Sequence, residues 1–371
     1  MKHPLLAAAV ASLALPLSVQ AAPTVYGNLR VAIDNAAIDQ AGHFDTNGHK
    51  VNTSKWDVNS TQASFLGIKG DVPLNSDKLS LIYNIERGFD LTDGDGNLKA
   101  RNTFVGLAGK SWGRVFIGIH DGVIKKSEGK VDVFNLTAAD IAFYVGGQNR
   151  YSNTINYTSP TFGGVTFNVQ LIPGEGNRHT VTGNTTAEDH SLADGYGASL
   201  LFKQDSLWAN LAYEKAAENA GATLSAAGGA GSLGTITTSD NINVATLRAT
   251  GGIALGNIKL AALAQQRTAD KSQGVEFQNK QDYLVSVAFD ATENVILKVQ
   301  AADAGGYFLQ ENDDRRIQSW TVGGDYKLGN GVSTYLLYSN NTVAGKDKRG
   351  GASIKDESAY KVVSAGLTYR F

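Results

Sequence analysis

Charged and large apolar side chains are closely mixed in residues 121–149, DGVIKKSEGKVDVFNLTAADIAFYVGGQN. The charged residues are four carboxylates and three lysines: Asp121, Glu128, Asp132, Asp140, Lys125, Lys126 and Lys130. The segment also carries Val131, Phe134, Ile141, Phe143 and Val145, which is too apolar for a solvated connection. Long apolar loops are usually functional or inserted into the protein. We therefore expect this segment to pack against another part of the chain.

Other residues that could bind a metal or perform catalysis form no complete pattern. Residues 93–97, DGDGN, resemble the start of a calcium loop but lack the following glycine and the bidentate glutamate. His120 has no evident serine partner for nucleophilic catalysis. The chain contains no Cys, which excludes disulfides and thiolate metal sites. We expect no enzyme activity, no metal, no cofactor and no nucleic-acid partner.

The N-terminus has the pattern of a secretory signal peptide. Lys2 precedes an apolar run over residues 5–19, and Val19 and Ala21 fit a small-x-small cleavage site. The prediction is a signal peptide over 1–21 and one domain over 22–371. No later apolar stretch reaches the roughly 18–20 residues of a membrane-spanning helix. Abundant glycine, rare proline and no dividing linker favour a single large all-β domain.

Alternating polarity indicates many strands of about 10 residues. In one of the clearest, Leu207, Leu211 and Tyr213 alternate with Asn210 and Glu214. The pattern predicts sixteen strands, near 24–35, 57–71, 78–89, 99–109, 112–120, 150–159, 164–172, 194–203, 206–216, 241–254, 256–268, 280–290, 293–304, 315–327, 332–342 and 358–371. The predicted connections alternate between short turns and long loops, the long ones including 36–56, 121–149 and 343–357.

This alternation fits a large soluble β-sandwich or propeller as well as an outer-membrane barrel. A sandwich buries its apolar faces, whereas a barrel in lipid turns them outward and lines a wet lumen with polar faces. Closure of a barrel also pairs every backbone group, so that no strand edge meets hydrocarbon. The signal peptide, the even strand number, the loop asymmetry and the terminal aromatic Phe371 favour a sixteen-stranded antiparallel transmembrane β-barrel with long external loops and short periplasmic turns.

Several motifs resemble those of the general porins of Gram-negative bacteria, which are trimeric diffusion channels. The motifs are VYGNLRVAID (25–34), FLGIKGD (65–71), RNTFVGLAG (101–109), WGRVFIG (112–118), NRYSNTINYTSPTFGGVTFNVQ (149–170) and the terminal AGLTYRF. The resemblance covers the whole chain after residue 21. It implies that the third long loop, residues 121–149, folds into the barrel and narrows it.

The resemblance also implies a basic wall that faces this loop across the pore. Arg101 and Arg150 match the family positions by motif, and Arg30 and Lys69 also fall on predicted lumen faces. Arg150 shares parity with Thr154 in that prediction. The loop carboxylates and the wall cations would create a field across the narrowest section that sieves by size and biases ion passage.

The resulting hypothesis is an outer-membrane porin for passive diffusion of ions and small hydrophilic solutes. The expected partners are two further copies in a homotrimer, together with membrane lipid and lipopolysaccharide. An alternative is a channel selective for a sugar or an anion, in which Trp208 would be a lumen-facing indole. An outer-membrane enzyme and a soluble adhesive β-protein are further alternatives, and ion preference stays open.

Overall fold

The computed structural model describes residues 22–44, 50–60, 64–74, 78–92, 98–174, 191–219, 241–270, 278–305, 316–349 and 352–371. The predicted signal peptide over 1–21 and the calcium-like stretch over 93–97 lie outside these residues. Most of the described chain is β-strand, with two short helical pieces between the fifth and sixth strands.

The first eight strands run from residue 24 to residue 204. They are β1 Thr24–Phe44, β2 in two segments Lys50–Asn59 and Phe65–Pro73, β3 Leu79–Gly88, β4 in two segments Lys99–Ala100 and Thr103–Gly109, β5 Gly113–Asp121, β6 Arg150–Thr158, β7 Val165–Ile172 and β8 Gly195–Gln204. The other eight are β9 Leu207–Asn219, β10 Asn241–Leu255, β11 Ile258–Ala269, β12 Lys280–Asp290, β13 Val295–Ala304, β14 Arg316–Gly329, β15 Val332–Arg349 and β16 Ala352–Arg370.

The sheet closes on itself. Each strand pairs antiparallel with the next, and β16 returns to β1 in a register that runs from Asn28 opposite Arg370 to Ala41 opposite Glu357. The eighteen hydrogen-bonded segments form sixteen strands, because β2 and β4 are each interrupted once. The predicted fold class and strand number are confirmed. Closure pairs both edges of the described sheet, which is the condition for strands to lie in lipid.

The two faces of the sheet have the polarity of a membrane barrel. Leu211, Val285 and Leu336 are each more than half exposed on the outer face. Their strand neighbours Asn210 and Ser286 are buried on the inner face. A soluble sandwich would reverse this arrangement, since its apolar faces would be packed together.

Two connections that the sequence predicts as long loops are mostly strand. β1 continues to Phe44 and β2 begins at Lys50, so most of residues 36–56 forms a ladder. β15 and β16 likewise pair out to Arg349 and Ala352, which corrects the predicted loop over 343–357. Backbone hydrogen bonding does not depend on side-chain polarity, so these ladders continue where the alternation stops, and alternation therefore underestimates strand length.

Among the described residues, no helix has the length and apolarity needed to cross a bilayer.

Candidate functional site: the constriction loop and the facing wall

The long connection between β5 and β6 lies inside the barrel. It contains the short helix α1, Val123–Lys126, and a 3₁₀ turn, Ile141–Phe143. Its neck is closed by a hydrogen bond from the Gly122 N–H to the Asn149 carbonyl, 3.0 Å long. We call residues 122–149 the constriction loop. The prediction that the third long loop folds inward and packs is confirmed by the contacts described below.

Two apolar clusters hold the constriction loop against the lumen side of the barrel. One is formed by Phe134, Ala138 and Ala139 of the loop with residues of β1, β15 and β16. The other is formed by Val131, Ile141, Tyr144 and Val145 with residues of β11 to β15. The wall residues are Ala32, Ala36, Tyr335, Leu337, Tyr360 and Val362 in the first cluster, and Leu263, Leu284, Ala304, Ile317 and Val343 in the second. Burial of this apolar area favours the inserted position at about 25 cal/mol per Å².

Two loop carboxylates stabilise the fold of the loop itself. Asp132 accepts hydrogen bonds from the N–H groups of Phe134 (3.0 Å) and Ile141 (3.2 Å). Asp140 accepts from Leu136 (2.7 Å) and Ala142 (2.8 Å), where it caps the 3₁₀ turn. Both oxygens of each group are therefore used by backbone donors. The structure assigns these two predicted pore carboxylates a structural task.

Polar groups of β9, β10 and β11 hold the start and the end of the loop. The Arg248 guanidinium donates to the carbonyls of Ile124 (3.0 Å) and Gly146 (2.8 Å). The Asn210 amide donates to the Ser127 carbonyl at 3.1 Å, and Glu214 accepts from the Ile124 N–H at 3.3 Å. These contacts fix the loop where it leaves and rejoins the strands.

Arg30 of β1 holds the tip of the loop. It is buried, donates to the carbonyls of Asn135 (3.1 Å) and Leu136, and lies 5.0 Å from the centre of the Tyr335 ring. Arg30 was predicted to face the loop across the pore. Instead it contacts the loop directly, because the tip of the loop crosses the lumen and reaches β1 itself.

Arg101 and Lys69 belong to the part of the wall formed by β2 to β4. Arg101 pairs with Glu86 at 3.2 Å, and its guanidinium stands 4.3 Å from the Phe65 ring. Glu86 also accepts a 2.6 Å hydrogen bond from the Tyr26 hydroxyl. The Lys69 ammonium lies 4.7 Å from the centre of the Tyr26 ring. Tyr26 lies on the same face of β1 as Arg30, so the cluster of Tyr26, Glu86 and Lys69 faces the lumen. The charge of Arg101 is thus balanced by an adjacent carboxylate.

Asp121 and Arg150 form a pair with each other and do not oppose one another across the pore. Asp121 is the last residue of β5 and meets Arg150, the first residue of β6, at 2.9 Å. Lys125 approaches the same carboxylate at 3.7 Å. A bulge at Asn153, with φ 57°, lets His120 pair with Tyr151. The predicted shared parity of Arg150 and Thr154 is wrong, because the extra residue shifts the alternation by one.

The remaining loop charges differ strongly in exposure. Lys126 and Lys130 are open to the lumen, and Lys125 is half-buried, whereas Glu128 is buried. Burial, together with the nearby Asp140 carboxylate, raises the pKa of Glu128 to about 7. The exposed loop surface therefore carries more positive than negative charge. Within the described part of the chain, no three His, Asp or Glu side chains are grouped so as to hold a metal ion.

Sequence reasoning missed the wall residues that receive the loop. Arg248, Gln265 and Gln300 were not singled out, and neither were the apolar lumen residues such as Leu284 and Leu337. One signal was available, since strands β11 to β16 carry large apolar residues on both faces. A strand that is apolar toward the lumen needs a partner there, and the constriction loop is that partner.

Comparison with known proteins agrees with this architecture. A family model described as Gram-negative porin matches residues 6–346. The chain belongs to this porin family. The porin fold and family indicate a channel rather than an enzyme, located in the outer membrane.

Individual porins resemble the chain to different extents. An outer membrane porin protein of Bordetella pertussis is 30% identical over 183 residues, which cover 46% of this chain and 47% of that protein. The match thus spans about half the length of this curated relative. An anion-selective porin from Comamonas acidovorans superimposes with a TM-score of 0.68 at 17% identity, covering 94% of this porin and 99% of that chain. OmpT of Vibrio cholerae in its trimer form gives 0.58 at 12% identity, with 94% and 99% coverage.

Proposed function

We propose that this porin forms a water-filled channel for passive diffusion of ions and small hydrophilic solutes, narrowed by residues 122–149. The observation that carries the proposal is the position of the constriction loop. It packs on the lumen side of β8 to β16 and on β1, whereas the apolar clusters that hold it do not include the polar wall around Arg101 and Glu86. A barrel sealed by this loop would need apolar contacts on that wall too.

The proposed channel favours anions. Lys126 and Lys130 are exposed on the loop, whereas Asp132 and Asp140 are engaged by backbone N–H groups and Glu128 is buried. On the wall formed by β2 to β4, Arg101 is balanced by Glu86. The positive charges along the passage that no ion pair among the described residues balances therefore include these loop lysines and Lys69, and an excess of fixed positive charge raises the local concentration of anions. One of the solved structures compared above carries the name of an anion-selective porin.

The proposed assembly is a homotrimer embedded in outer-membrane lipid and lipopolysaccharide. A trimer form is named for one structural neighbour, OmpT of Vibrio cholerae. No catalytic activity is proposed for this porin.

Planar-bilayer recording tests the channel and its selectivity together. Purified protein added to a bilayer should produce stepwise current increases, each closing in three sublevels if the unit is a trimer. In a potassium chloride gradient the reversal potential should have the sign of chloride permeation. Absence of any current from folded protein would reject the channel, whereas a potential of the potassium sign would reject only the anion preference.

A further inference from the structure

The beginning and the end of the constriction loop meet at one buried guanidinium. Arg248 of β10 has 0% of its surface exposed. Its Nη1 donates to the Ile124 carbonyl at 3.0 Å and its Nη2 to the Gly146 carbonyl at 2.8 Å. Its Nε donates to the Gln265 side chain at 2.6 Å, and the Gln265 amide in turn donates to Gly146 at 3.1 Å. A single rigid group therefore joins two points that are far apart along the loop.

The other wall contacts at this place each reach only one end. Glu214 contacts Ile124, and Asn210 and Thr250 contact the Ser127 carbonyl, all near the start. Gln265 donates to the loop at Gly146, near its end. Arg248 thus contacts both ends of the loop from the wall, in addition to the backbone hydrogen bond between Gly122 and Asn149 that closes the neck. The planar fork of arginine suits this task, because its donors point in fixed directions and cannot rearrange independently.

The loop backbone is shaped to admit the guanidinium. A Cβ on Gly146 would collide with the Arg267 guanidinium, and a Cβ on Gly147 would lie 3.3 Å from Arg248 Nη2. Gly147 also has φ +80°, a conformation that glycine adopts without strain. The two glycines thus let the end of the loop approach the buried Arg248 and Arg267 guanidiniums closely. At this distance the Gly146 carbonyl can accept the hydrogen bond from Arg248. A buried charge is costly unless its donors are satisfied, which these carbonyls accomplish.

We propose that Arg248 is the positioning residue of the constriction, and that its two loop hydrogen bonds keep the pore at one fixed width. This inference rests on the proposed channel function. Without Arg248 the two ends of the loop lose a wall side chain that holds both, while the neck keeps its backbone hydrogen bond and the tip stays attached through Arg30. The loop should then move between positions against the wall, and the channel should alternate between several conductance levels.

Single-channel recording of Arg248→Met tests the proposal. We expect current noise and the spread of conductance levels to rise several-fold. Arg248→Lys should give values between those of the wild type and Arg248→Met, because an ammonium lacks the two fixed donor directions of a guanidinium. The matched control is Arg316→Met, which removes a wall arginine that pairs with Asp303 and belongs to neither loop cluster. A steady current at the wild-type level in Arg248→Met would overturn the inference. A silent wild-type protein would instead reject the channel function.

A cross-link separates loop motion from other effects of the substitution. The natural chain has no Cys, so an engineered pair is unambiguous. A Cβ on Gly197 would contact the Val123 side chain. A disulfide between Val123→Cys and Gly197→Cys can therefore join α1 to β8. Oxidation of this pair in Arg248→Met should restore a steady current, and reduction should abolish the effect. Noise that persists in fully cross-linked channels would contradict the proposed role.

A second variant keeps the proposal testable if Arg248→Met does not fold. Gly146→Ala leaves Arg248 in place, but the new Cβ collides with the buried Arg267 guanidinium and should push the end of the loop, with the Gly146 carbonyl, away from the wall. It should reproduce the multiple conductance levels, because it breaks the same support from the loop side. An unchanged steady channel in Gly146→Ala would count against Arg248 as the positioning residue.

Discussion

The ring of the terminal residue Phe371 lies over Gly27, so that a Cβ on Gly27 would stand 2.7 Å from the ring. The same two residues exchange backbone hydrogen bonds of 3.0 and 3.2 Å. The barrel is thus closed by a reciprocal pair in which an aromatic side chain covers a glycine. The contact thus gives the outward-facing aromatic at position 371 a packing partner.

Gly27→Val should weaken the closure of the barrel. The new side chain displaces the Phe371 ring, and crowding of this kind costs about 1–3 kcal/mol. The temperature at which the folded band disappears in a heat-modifiability gel should fall. In the double variant with Phe371→Ala the two losses should be less than additive, because both act on one contact. Strict additivity would show that the ring and the glycine are energetically independent.

Charge reversal at the exposed loop lysines should invert the preference for anions. Lys130→Glu, and more strongly Lys126→Glu with Lys130→Glu, places negative charge where the passage is narrow. The reversal potential in a salt gradient should move toward that of potassium, and high salt should reduce the difference by screening. Lys361→Glu is the control, since Lys361 is exposed on the outer parity of β16. An equal shift in the control would place the determinant outside the lumen.

Removal of the Glu86 charge should increase anion preference. Glu86→Gln keeps the size of the side chain but leaves Arg101, now 3.2 Å from a neutral amide, without its balancing carboxylate. We expect a higher chloride-to-potassium permeability ratio with little change in conductance. The matched control is Glu293→Gln in the exposed turn after β12. An unchanged ratio would mean that the Arg101 pair lies outside the ion path.

Selectivity should also depend on pH through Glu128. Burial raises the pKa of this carboxyl to about 7, so the group is neutral at pH 6 and negative at pH 8. The channel should therefore favour anions more at pH 6 than at pH 8. Glu128→Gln should remove most of this difference, which measurements of reversal potential at the two pH values would show.

A second titrating group requires its own control in that experiment. Desolvation inside the confined lumen lowers the pKa of Lys126 to about 8, although its side chain is open to the lumen. Its loss of charge changes selectivity in the same direction as ionisation of Glu128. The comparison is therefore best made in a Lys126→Arg background, in which the cation persists. If the pH effect disappears there while Glu128 is intact, Lys126 is the responsible group.

Arg30→Met should disturb the channel without much change in selectivity. The residue donates to the tip of the loop and is buried, so its charge acts on the loop backbone more than on ions in transit. We expect noisier current and a nearly constant reversal potential. A large shift of the reversal potential would instead show that the Arg30 charge acts on ions in the pore, as the sequence predicted for the basic wall.

The number, direction and polarity of the strands were predictable because each depends on local pattern. Alternation along β9 and β12 is enough to assign an apolar and a polar face, and the apolar composition of residues 121–149 is enough to require a packing partner. The lumen position of Trp208 also followed from parity, and Gly129 of the loop lies beside its ring.

The use of each charge was decided only by the tertiary structure. Arg30, Asp132, Asp140 and Arg150 were predicted as charges of one pore field, but their partners come from distant strands, from the folded loop, or from a register shifted by the bulge at Asn153. Alternation encodes which side of a strand a residue takes, because that depends on the residue and its neighbours. It does not encode whether a charge is paired, because pairing depends on which strands and loop atoms the closed barrel brings within hydrogen-bond distance.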